Sequence, residues 1–197
     1  GYFTKAAAIC REKNVLLVMD EIQTGLGRTG KMFAYQHDAE VNPDILILGK
    51  ALSGGFYPVS AVVANKDILG LFRPGDHGST FGANPLACAI ARTALKVIVE
   101  EKLVQRSDEL GRYFLEQLLS LKSKHVKDIR GRGLFIGVEL HPEARGARRF
   151  CEALRNEGML CKETHEHVIR FAPPLVITKE ELDWAFVRIK KVLETME

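Results

Sequence analysis

The sequence predicts an α/β fold, with a mainly parallel sheet and helices, followed by an α+β region. Short runs of Val, Ile and Leu at residues 15–19, 44–48 and 59–64 are typical of parallel strands that are covered on both faces. A polar or glycine-rich turn follows each run. With 197 residues, of which 46% are hydrophobic, the chain is long enough to build a substantial core.

Helical patterns surround these strands. Residues 1–13 predict a first helix whose apolar face carries Phe3, Ala7 and residues 9–10. Asn84 and Pro85 open a long helix, because Pro is favoured at the first helical position. A helix that feeds a buried strand at the very start of a chain without an initiator Met predicts a fragment of a longer polypeptide.

The second half shows a different order of elements. A helix with apolar residues from Leu103 to Leu121 is followed by four segments with strand or helix patterns. These are a strand at 134–140, a helix at 147–157 closed by Gly158, a strand at 168–171 and a helix at 179–193. The order predicts an α+β unit, with its boundary in the region 102–125.

The composition argues against several classes of protein. The 28 basic and 25 acidic residues are interspersed, so neither nucleic-acid binding nor membrane-surface binding is expected. No apolar run reaches the roughly 20 residues that a membrane-spanning helix needs. The chain is therefore expected to be soluble.

The cysteines predict a reducing, cytoplasmic setting. Cys10, Cys88, Cys151 and Cys161 lie far apart without a CxxC pair, which disfavours a disulfide framework or a zinc ribbon. Cys161 also lies close in sequence to two histidines, at positions 165 and 167, but no further ligand completes a zinc set. No metal site is predicted.

The segment GLGRTGK at residues 25–31 matches two phosphate-binding patterns by letter only. A dinucleotide-binding loop starts directly at a strand end and opens a helix, whereas five residues separate this segment from the strand. A phosphate loop needs Ser or Thr after its lysine, and Met32 stands there. A glycine-rich turn is the better interpretation.

Asp20 and Lys50 are the strongest candidates for chemistry. Each follows a predicted strand, and ligands of open α/β sheets gather at the carboxyl ends of the strands. A lysine just past a buried strand is expected to be partly desolvated, which favours the neutral amine that forms Schiff bases. Taken singly, Asp20 could only cap a turn and Lys50 could only be a surface lysine.

Five motifs together resemble the fold-type I pyridoxal-phosphate enzymes, in the subgroup of omega-aminotransferases. They are DEIQTGLGRTG, PDILILGKALSGG, HGSTFGANPLACA, RGRGLFIGVEL and VIRFAPPLVIT, in this order along the whole chain. Within that subgroup the chain is most similar to ornithine aminotransferases of the bacterial type, and it resembles their C-terminal half. The resemblance implies that residues 1–102 are the C-terminal part of the cofactor-binding large domain and that residues 103–197 are the C-terminal small domain.

The resemblance implies roles for three residues around the cofactor, pyridoxal 5'-phosphate. Asp20 resembles the aspartate that pairs with the protonated pyridine nitrogen, so that the ring accepts electrons. Gln23 resembles the glutamine that binds the phenolic oxygen. Lys50 resembles the catalytic lysine that holds the cofactor as a Schiff base and then moves the proton.

Three further residues match binding positions of the family. Ser79 and Thr80 resemble the pair that binds the cofactor phosphate of the neighbouring subunit, which implies a homodimer with a shared site. Arg170 resembles the arginine that grips the substrate α-carboxylate, a task that suits its planar fork.

The implied activity is transfer of the terminal amino group of ornithine to 2-oxoglutarate, which gives glutamate 5-semialdehyde and glutamate. Three alternatives stay open: another omega-aminotransferase for acetylornithine or 4-aminobutyrate, an aminomutase, or a non-catalytic remnant. Other parts of the family's pocket lie in the half that this sequence lacks, so the chain alone is expected to be weakly active at best.

Overall fold

The computed structural model describes residues 1–38 and 40–196, which form two compact units. The first unit is Gly1–Val104, and the second runs from Gln105 onward. Within the described ranges, every helix is too short or too polar to cross a lipid bilayer.

The first unit is built around a small mixed sheet. Its elements are α1 (Tyr2–Glu12), β1 (Val18–Asp20), β2 (Ile45–Leu48), β3 (Ala61–Ala64), α2 (Lys66–Leu69) and α3 (Pro85–Glu100). Two 3₁₀ turns, Ala34–His37 and Lys50–Ser53, lie between the strands. The strand order is β1-β2-β3. The predicted strands and the two long helices of this unit are therefore confirmed in position.

The direction of the third strand was wrongly predicted. β1 and β2 are parallel, with Asp20 opposite Ile47, but β2 and β3 are antiparallel. The connection between β2 and β3 is twelve residues, 49–60, which is the lower limit for a parallel crossover, and it contains a short 3₁₀ turn instead of the usual α-helix. Covering on both faces is not observed either, since Val62 and Val63 are about half exposed, at 53% and 50%.

Local signals explain where α3 begins. Asn84 is its N-cap, with a side chain that accepts a hydrogen bond from the Ala87 N–H at 2.9 Å, and Pro85 occupies the first helical position. The helix packs against the 3₁₀ turn Lys50–Ser53. This helix thus supports the segment that carries Lys50.

The second unit places helices against a four-stranded antiparallel sheet. Its elements are α4 (Leu103–Leu119, most of which lies in this unit), β4 (Val126–Arg132), β5 (Phe135–Leu140), α5 (Arg148–Asn156), β6 (Lys162–Thr164), β7 (Val168–Phe171) and α6 (Lys179–Thr195). The strand order is β4-β5-β7-β6, with every neighbouring pair antiparallel. The predicted elements are present, and β4 and β6 are additional strands.

The core of this unit follows the period of each element. Alternate residues of β5 are buried, and they meet the apolar faces of the helices. The buried cluster includes Phe114, Leu118, Leu134, Ile136, Val138, Leu140, Phe150, Leu154, Ile169, Phe171, Leu182, Ile189 and Leu193. The other face of β5 and β7 carries Gly137, Glu139 and Arg170, and it is left partly accessible.

Candidate active site

The carboxyl ends of the parallel strands β1 and β2 bring two predicted residues to one edge of the sheet. Asp20 is the last residue of β1, and it lies opposite Ile47 in β2. Lys50 follows β2 after a single residue, Gly49. Both side chains are exposed at this edge. The strand pattern had predicted this placement.

A hydrogen bond joins Lys50 to Gln23. The Lys50 Nζ donates to Gln23 Oε1 at 2.9 Å, so the amine is held over the turn that follows β1. Asp20 Oδ1 accepts from the Ile22 N–H at 3.0 Å, within the turn that follows β1. The amine of Lys50, the amide of Gln23 and the carboxylate of Asp20 therefore all lie at the carboxyl ends of β1 and β2.

The expected burial of Lys50 was wrong. The side chain is exposed, because β2 stops at Leu48 and the chain turns out of the sheet into the 3₁₀ turn Lys50–Ser53. The backbone of Lys50 has a φ of +42°, in the left-handed region that is costly for residues with a Cβ. Such strain in a non-glycine residue is common at functional sites.

Buried residues and a hydrogen bond hold the 3₁₀ turn that carries Lys50. Ser53 is buried, with 3% of its surface exposed, and its hydroxyl accepts from the Tyr57 N–H at 3.2 Å. The next residue, Gly54, closes the turn with a φ of +63°. Leu52 is also buried. The backbone that follows Lys50 is therefore well packed.

The glycine-rich segment after β1 is a turn and not a helix, as predicted. The Gly25 N–H donates to the Glu21 carbonyl at 2.9 Å, and the Gly27 N–H donates to the Met32 carbonyl at 3.2 Å. Gly27 and Gly30 have φ values of +92° and +82°, which only glycine adopts easily. No α-helix begins at this segment.

Glu21 is a buried residue that the sequence analysis missed. Only 4% of its surface is exposed, and its carboxylate accepts hydrogen bonds from the Thr24 hydroxyl and, at 2.9 Å, from the Tyr35 N–H. The only signal in the sequence was its place between Asp20 and Gln23. A pair of acidic residues at a strand end does not by itself reveal which of them is buried.

Ser79 and Thr80 lie in an exposed loop before α3. Ser79 Oγ accepts from the Gly82 N–H at 2.8 Å, which closes a local turn. Among the described residues, no hydrogen bond links either hydroxyl to Lys50. The structure therefore does not bring this pair together with the strand-end site within one chain.

Arg170 lies in the second unit, at the middle of β7. It pairs with Gly137 of β5 on one side and with Lys162 of β6 on the other. Within residues 1–38 and 40–196 its guanidinium forms no hydrogen bond or salt bridge. The side chain is thus available to bind an anion.

Glu139, on the same face of the sheet as Arg170, is already paired. Glu139 accepts from Lys127 Nζ at 2.7 Å and from Arg130 Nη1 at 2.6 Å. The hydrogen bond from Lys127, and then that from Arg130, lowers the pKa of Glu139 below its ordinary value. Glu139 stays anionic and committed to these two cations.

No group of three or more His, Cys, Asp or Glu side chains converges on a common point in the parts of the chain that the structure describes. The four cysteines are all free thiols, and Cys151 is the buried one. His167 and His165 lie at the turn between β6 and β7, at the surface.

Comparisons with known proteins agree with this arrangement. Residues 1–193 match the family described as aminotransferase class-III. The chain is 62% identical over 192 residues to an ornithine aminotransferase of Geobacillus sp. (strain WCH70), and 60% identical over 193 residues to that of Bacillus subtilis (strain 168). Each alignment covers 98% of this chain and 47% of the relative, so the chain spans about half of their length.

Solved structures give the same result. The ornithine aminotransferase of Toxoplasma gondii matches with a TM-score of 0.93 and 50% identity, over 98% of this chain and 46% of that one. The acetylornithine aminotransferase of Elizabethkingia anophelis matches with a TM-score of 0.92 and 47% identity, over 98% of this chain and 49% of that one. The strand-end site and these matches lead to one conclusion: the chain belongs to the class-III aminotransferase family.

Proposed function

We propose that this chain carries the lysine-bearing half of a pyridoxal-phosphate-dependent ornithine aminotransferase. The reaction is transfer of the terminal amino group of ornithine to 2-oxoglutarate, with glutamate 5-semialdehyde and glutamate as products. The observation that carries the proposal is the hydrogen bond from Lys50 Nζ to Gln23 Oε1, 2.9 Å long, beside Asp20 at the strand ends. The relatives named ornithine aminotransferase support the choice of substrate.

The residues at the strand ends fit pyridoxal phosphate. Lys50 offers an accessible primary amine, Asp20 offers an exposed carboxylate and Gln23 offers an amide that can donate as well as accept. When bound, the cofactor supplies an aldehyde carbon and a ring that accepts electrons. The Lys50 amine would hold the aldehyde carbon, and the Asp20 carboxylate would hold the ring.

The chain's own residues then have separate tasks. Lys50 Nζ is the nucleophile, and its flexible stem lets the same nitrogen carry a proton to and from the substrate carbon. Gln23 Oε1 orients that nitrogen before it reacts. Asp20 holds a proton at the ring nitrogen, because a carboxylate stabilises a cation at short range.

Arg170 is proposed to bind the α-carboxylate of the substrate. Its guanidinium has five N–H donors in a rigid fork and no partner among the described residues, so that a carboxylate can be gripped by two hydrogen bonds. Lysine would offer a point charge without that geometry. This task gives the second unit a part in substrate selection.

The rest of the assignment is also a proposal. Residues 1–102 are taken as the C-terminal part of a cofactor-binding large domain and residues 103–197 as a C-terminal small domain, which together make the C-terminal half of the enzyme. Ser79 and Thr80, which are exposed, are proposed to bind the cofactor phosphate held by the neighbouring subunit of a homodimer. Four free thiols suit the cytoplasm. The isolated chain is expected to be weakly active, because the remaining pocket residues are supplied elsewhere.

A second candidate is an acetylornithine aminotransferase. The solved structure of such an enzyme matches this chain with a TM-score of 0.92. Both substrates present a terminal amine, and they differ in whether the α-amine is acetylated. The strand-end residues serve either substrate equally.

The proposal is tested by light absorption on adding pyridoxal phosphate to the purified chain. A visible band of the lysine-bound cofactor is expected, which is lost in Lys50→Ala and kept in Lys5→Ala, an exposed lysine of α1. A chain without the band would be a non-catalytic remnant. The substrate follows from supplying the loaded protein with 2-oxoglutarate and either ornithine or acetylornithine, and measuring the glutamate formed. Only the semialdehyde from ornithine keeps a free α-amine, so it alone cyclises and reacts with o-aminobenzaldehyde. Product from acetylornithine alone would contradict the ornithine assignment.

A further inference from the structure

We propose that Glu21 is a positioning residue, which holds Gln23 in place to meet Lys50; this inference rests on the function proposed above. Glu21 lies between two site residues, yet it is itself buried, with 4% of its surface exposed. It has no access to a ligand at the strand ends. Any effect on Lys50 must therefore pass through its neighbours.

The Glu21 carboxylate is fully engaged inside the turn. Oε1 accepts from the Tyr35 N–H at 2.9 Å, and Oε2 accepts from the Thr24 hydroxyl at 2.5 Å. A buried carboxylate is costly unless such bonds satisfy it. The bond from Thr24 closes the turn after β1, and the bond from Tyr35 ties that turn to the 3₁₀ turn Ala34–His37.

The Glu21 backbone ties the same turn to the strand that leads to Lys50. Its N–H donates to the Ile47 carbonyl of β2 at 2.9 Å, and its carbonyl accepts from the Gly25 N–H at 2.9 Å. The fit is close, since a Cβ added to Gly25 would lie 2.8 Å from that carbonyl oxygen. The turn is therefore fixed on both sides of Gln23.

Gln23 links the turn held by Glu21 to the amine of Lys50. It lies between Glu21 and Thr24, both held by the bonds above, and its side-chain oxygen receives the Lys50 Nζ. A long side chain on a loose turn loses entropy when it makes such a bond, and a braced turn reduces that cost. Removing the carboxylate should therefore weaken capture of an aldehyde by Lys50 without touching Lys50.

The test uses pyridoxal phosphate as the probe and trapping as the readout. The Lys50 amine adds to the aldehyde carbon with loss of water, and borohydride reduces the resulting C=N bond to a secondary amine. Peptide mass mapping then gives the fraction of Lys50 modified at each concentration of pyridoxal phosphate. The midpoint is the concentration at which half of Lys50 is modified, and it does not depend on turnover. Thermal melting of each variant is measured in parallel.

The expected midpoints separate a positioning role from a structural one. Glu21→Ala and Gln23→Ala should each raise the midpoint about tenfold, as expected for the loss of one organised hydrogen bond. The double variant should be no weaker than Gln23→Ala alone. The midpoint of Glu21→Gln should lie within about twofold of the wild-type midpoint. Gln keeps an oxygen that accepts from the Tyr35 N–H, and the Thr24 hydroxyl can accept a hydrogen bond from the Gln amide instead of donating one.

A matched control and a milder variant keep the test decisive. Thr29→Val removes a hydroxyl that is buried in the same turn but contacts His37, so it should lower the melting temperature and leave the midpoint unchanged. If Glu21→Ala does not fold, Thr24→Val removes one of the two bonds, and its several-fold effect should vanish in the Gln23→Ala background.

Two results would overturn the inference but not the proposed function. The first is a trapping midpoint of Glu21→Ala equal to that of the wild type. The second is a double variant whose midpoint rises by the product of the two single increases. A wild-type chain that traps no cofactor at Lys50 would instead overturn the proposed function, and the inference with it.

Discussion

Lys50 reaches Gln23 across two strand ends, with the Nζ donating to Oε1 at 2.9 Å, from a backbone in the left-handed region. The bond orients the amine, while the φ of +42° carries a conformational cost. Glycine adopts this conformation freely, so a lysine at this position has a cost that glycine would avoid. The geometry thus exchanges stability for the placement of one amine.

This strain can be measured by comparing two variants that both lack the amine. Lys50→Gly should be more stable than Lys50→Ala by about 1 kcal/mol, because only alanine pays the left-handed cost. The free energy of unfolding from urea denaturation gives the difference. At Lys96, inside α3, the order should reverse, with Gly less stable than Ala by about 1 kcal/mol. An alanine variant at Lys50 as stable as the glycine variant would contradict the strain.

Local chemistry explains which elements the sequence predicted well. The start of α3 at Asn84 and Pro85 and the start of α6 at Thr178 are encoded within a few residues, by a cap and a capping box. The direction of β3 is not local. Apolar runs report burial but not pairing, so the antiparallel contact with β2 could not be read from the pattern.

The missed strands have little apolar signal. β4 (Val126–Arg132) carries four charged residues, and β6 (Lys162–Thr164) has three residues without an apolar one. Both lie at the edges of the sheet, where charged residues are common because they discourage pairing with other chains. Their place depends on β5 and β7 rather than on their own sequence.

The site was predictable in part for the same reason. Asp20, Gln23 and Lys50 follow strands and lie in motifs of the family, so their shared edge could be expected. The exposure of Lys50 could not, since it depends on where the turn leaves the sheet. The burial of Glu21 depends on Thr24 and on Tyr35, which lies far along the chain.

Gly111 in α4 is expected to tolerate no side chain. A Cβ at this position would lie 2.2 Å from the backbone of Gly133, in the turn between β4 and β5. Gly111→Ala should destabilise the second unit by about 1–3 kcal/mol, because overpacking of a rigid backbone outweighs the gain in helix propensity. Urea denaturation measures the loss. Gly78→Ala, where a Cβ meets nothing within 4 Å, is the control and should be nearly neutral.

The cap of α3 is expected to contribute measurably to stability. Asn84→Ala removes the acceptor for the Ala87 N–H and the donor to the Phe81 carbonyl, both at 2.9 Å. The loss should be about 1 kcal/mol in the free energy of unfolding. Asn65 is the matched control, because it is the N-cap of α2 without a side-chain hydrogen bond. Equal losses from Asn65→Ala and Asn84→Ala would show that the Asn84 cap is not formed in solution.

The acid stability of the second unit is expected to depend on Asp183. Its carboxylate accepts from the Tyr113 hydroxyl and from Gln117 Nε2 at 2.7 Å, and it pairs with Lys179 Nζ at 3.2 Å. These contacts, the Tyr113 hydroxyl first, lower the pKa of Asp183 in the folded state. A lowered pKa means that the folded chain binds the proton less well than the unfolded chain does.

The sign of the pH effect follows from this difference. The stabilisation is complete above the pKa of an unfolded aspartate, which is about 3.9, and it is lost as the pH falls through the lower folded pKa. Urea midpoints between about pH 2 and pH 7 should therefore show wild type and Asp183→Asn separated by a constant amount at neutral pH and converging below about pH 4. Asp108→Asn is the control, because Asp108 forms only an exposed pair with Arg112 and should give a small difference at every pH. A gap between wild type and Asp183→Asn that persists unchanged at the acid end would mean that this carboxylate is not held in its charged form by Tyr113 and Gln117.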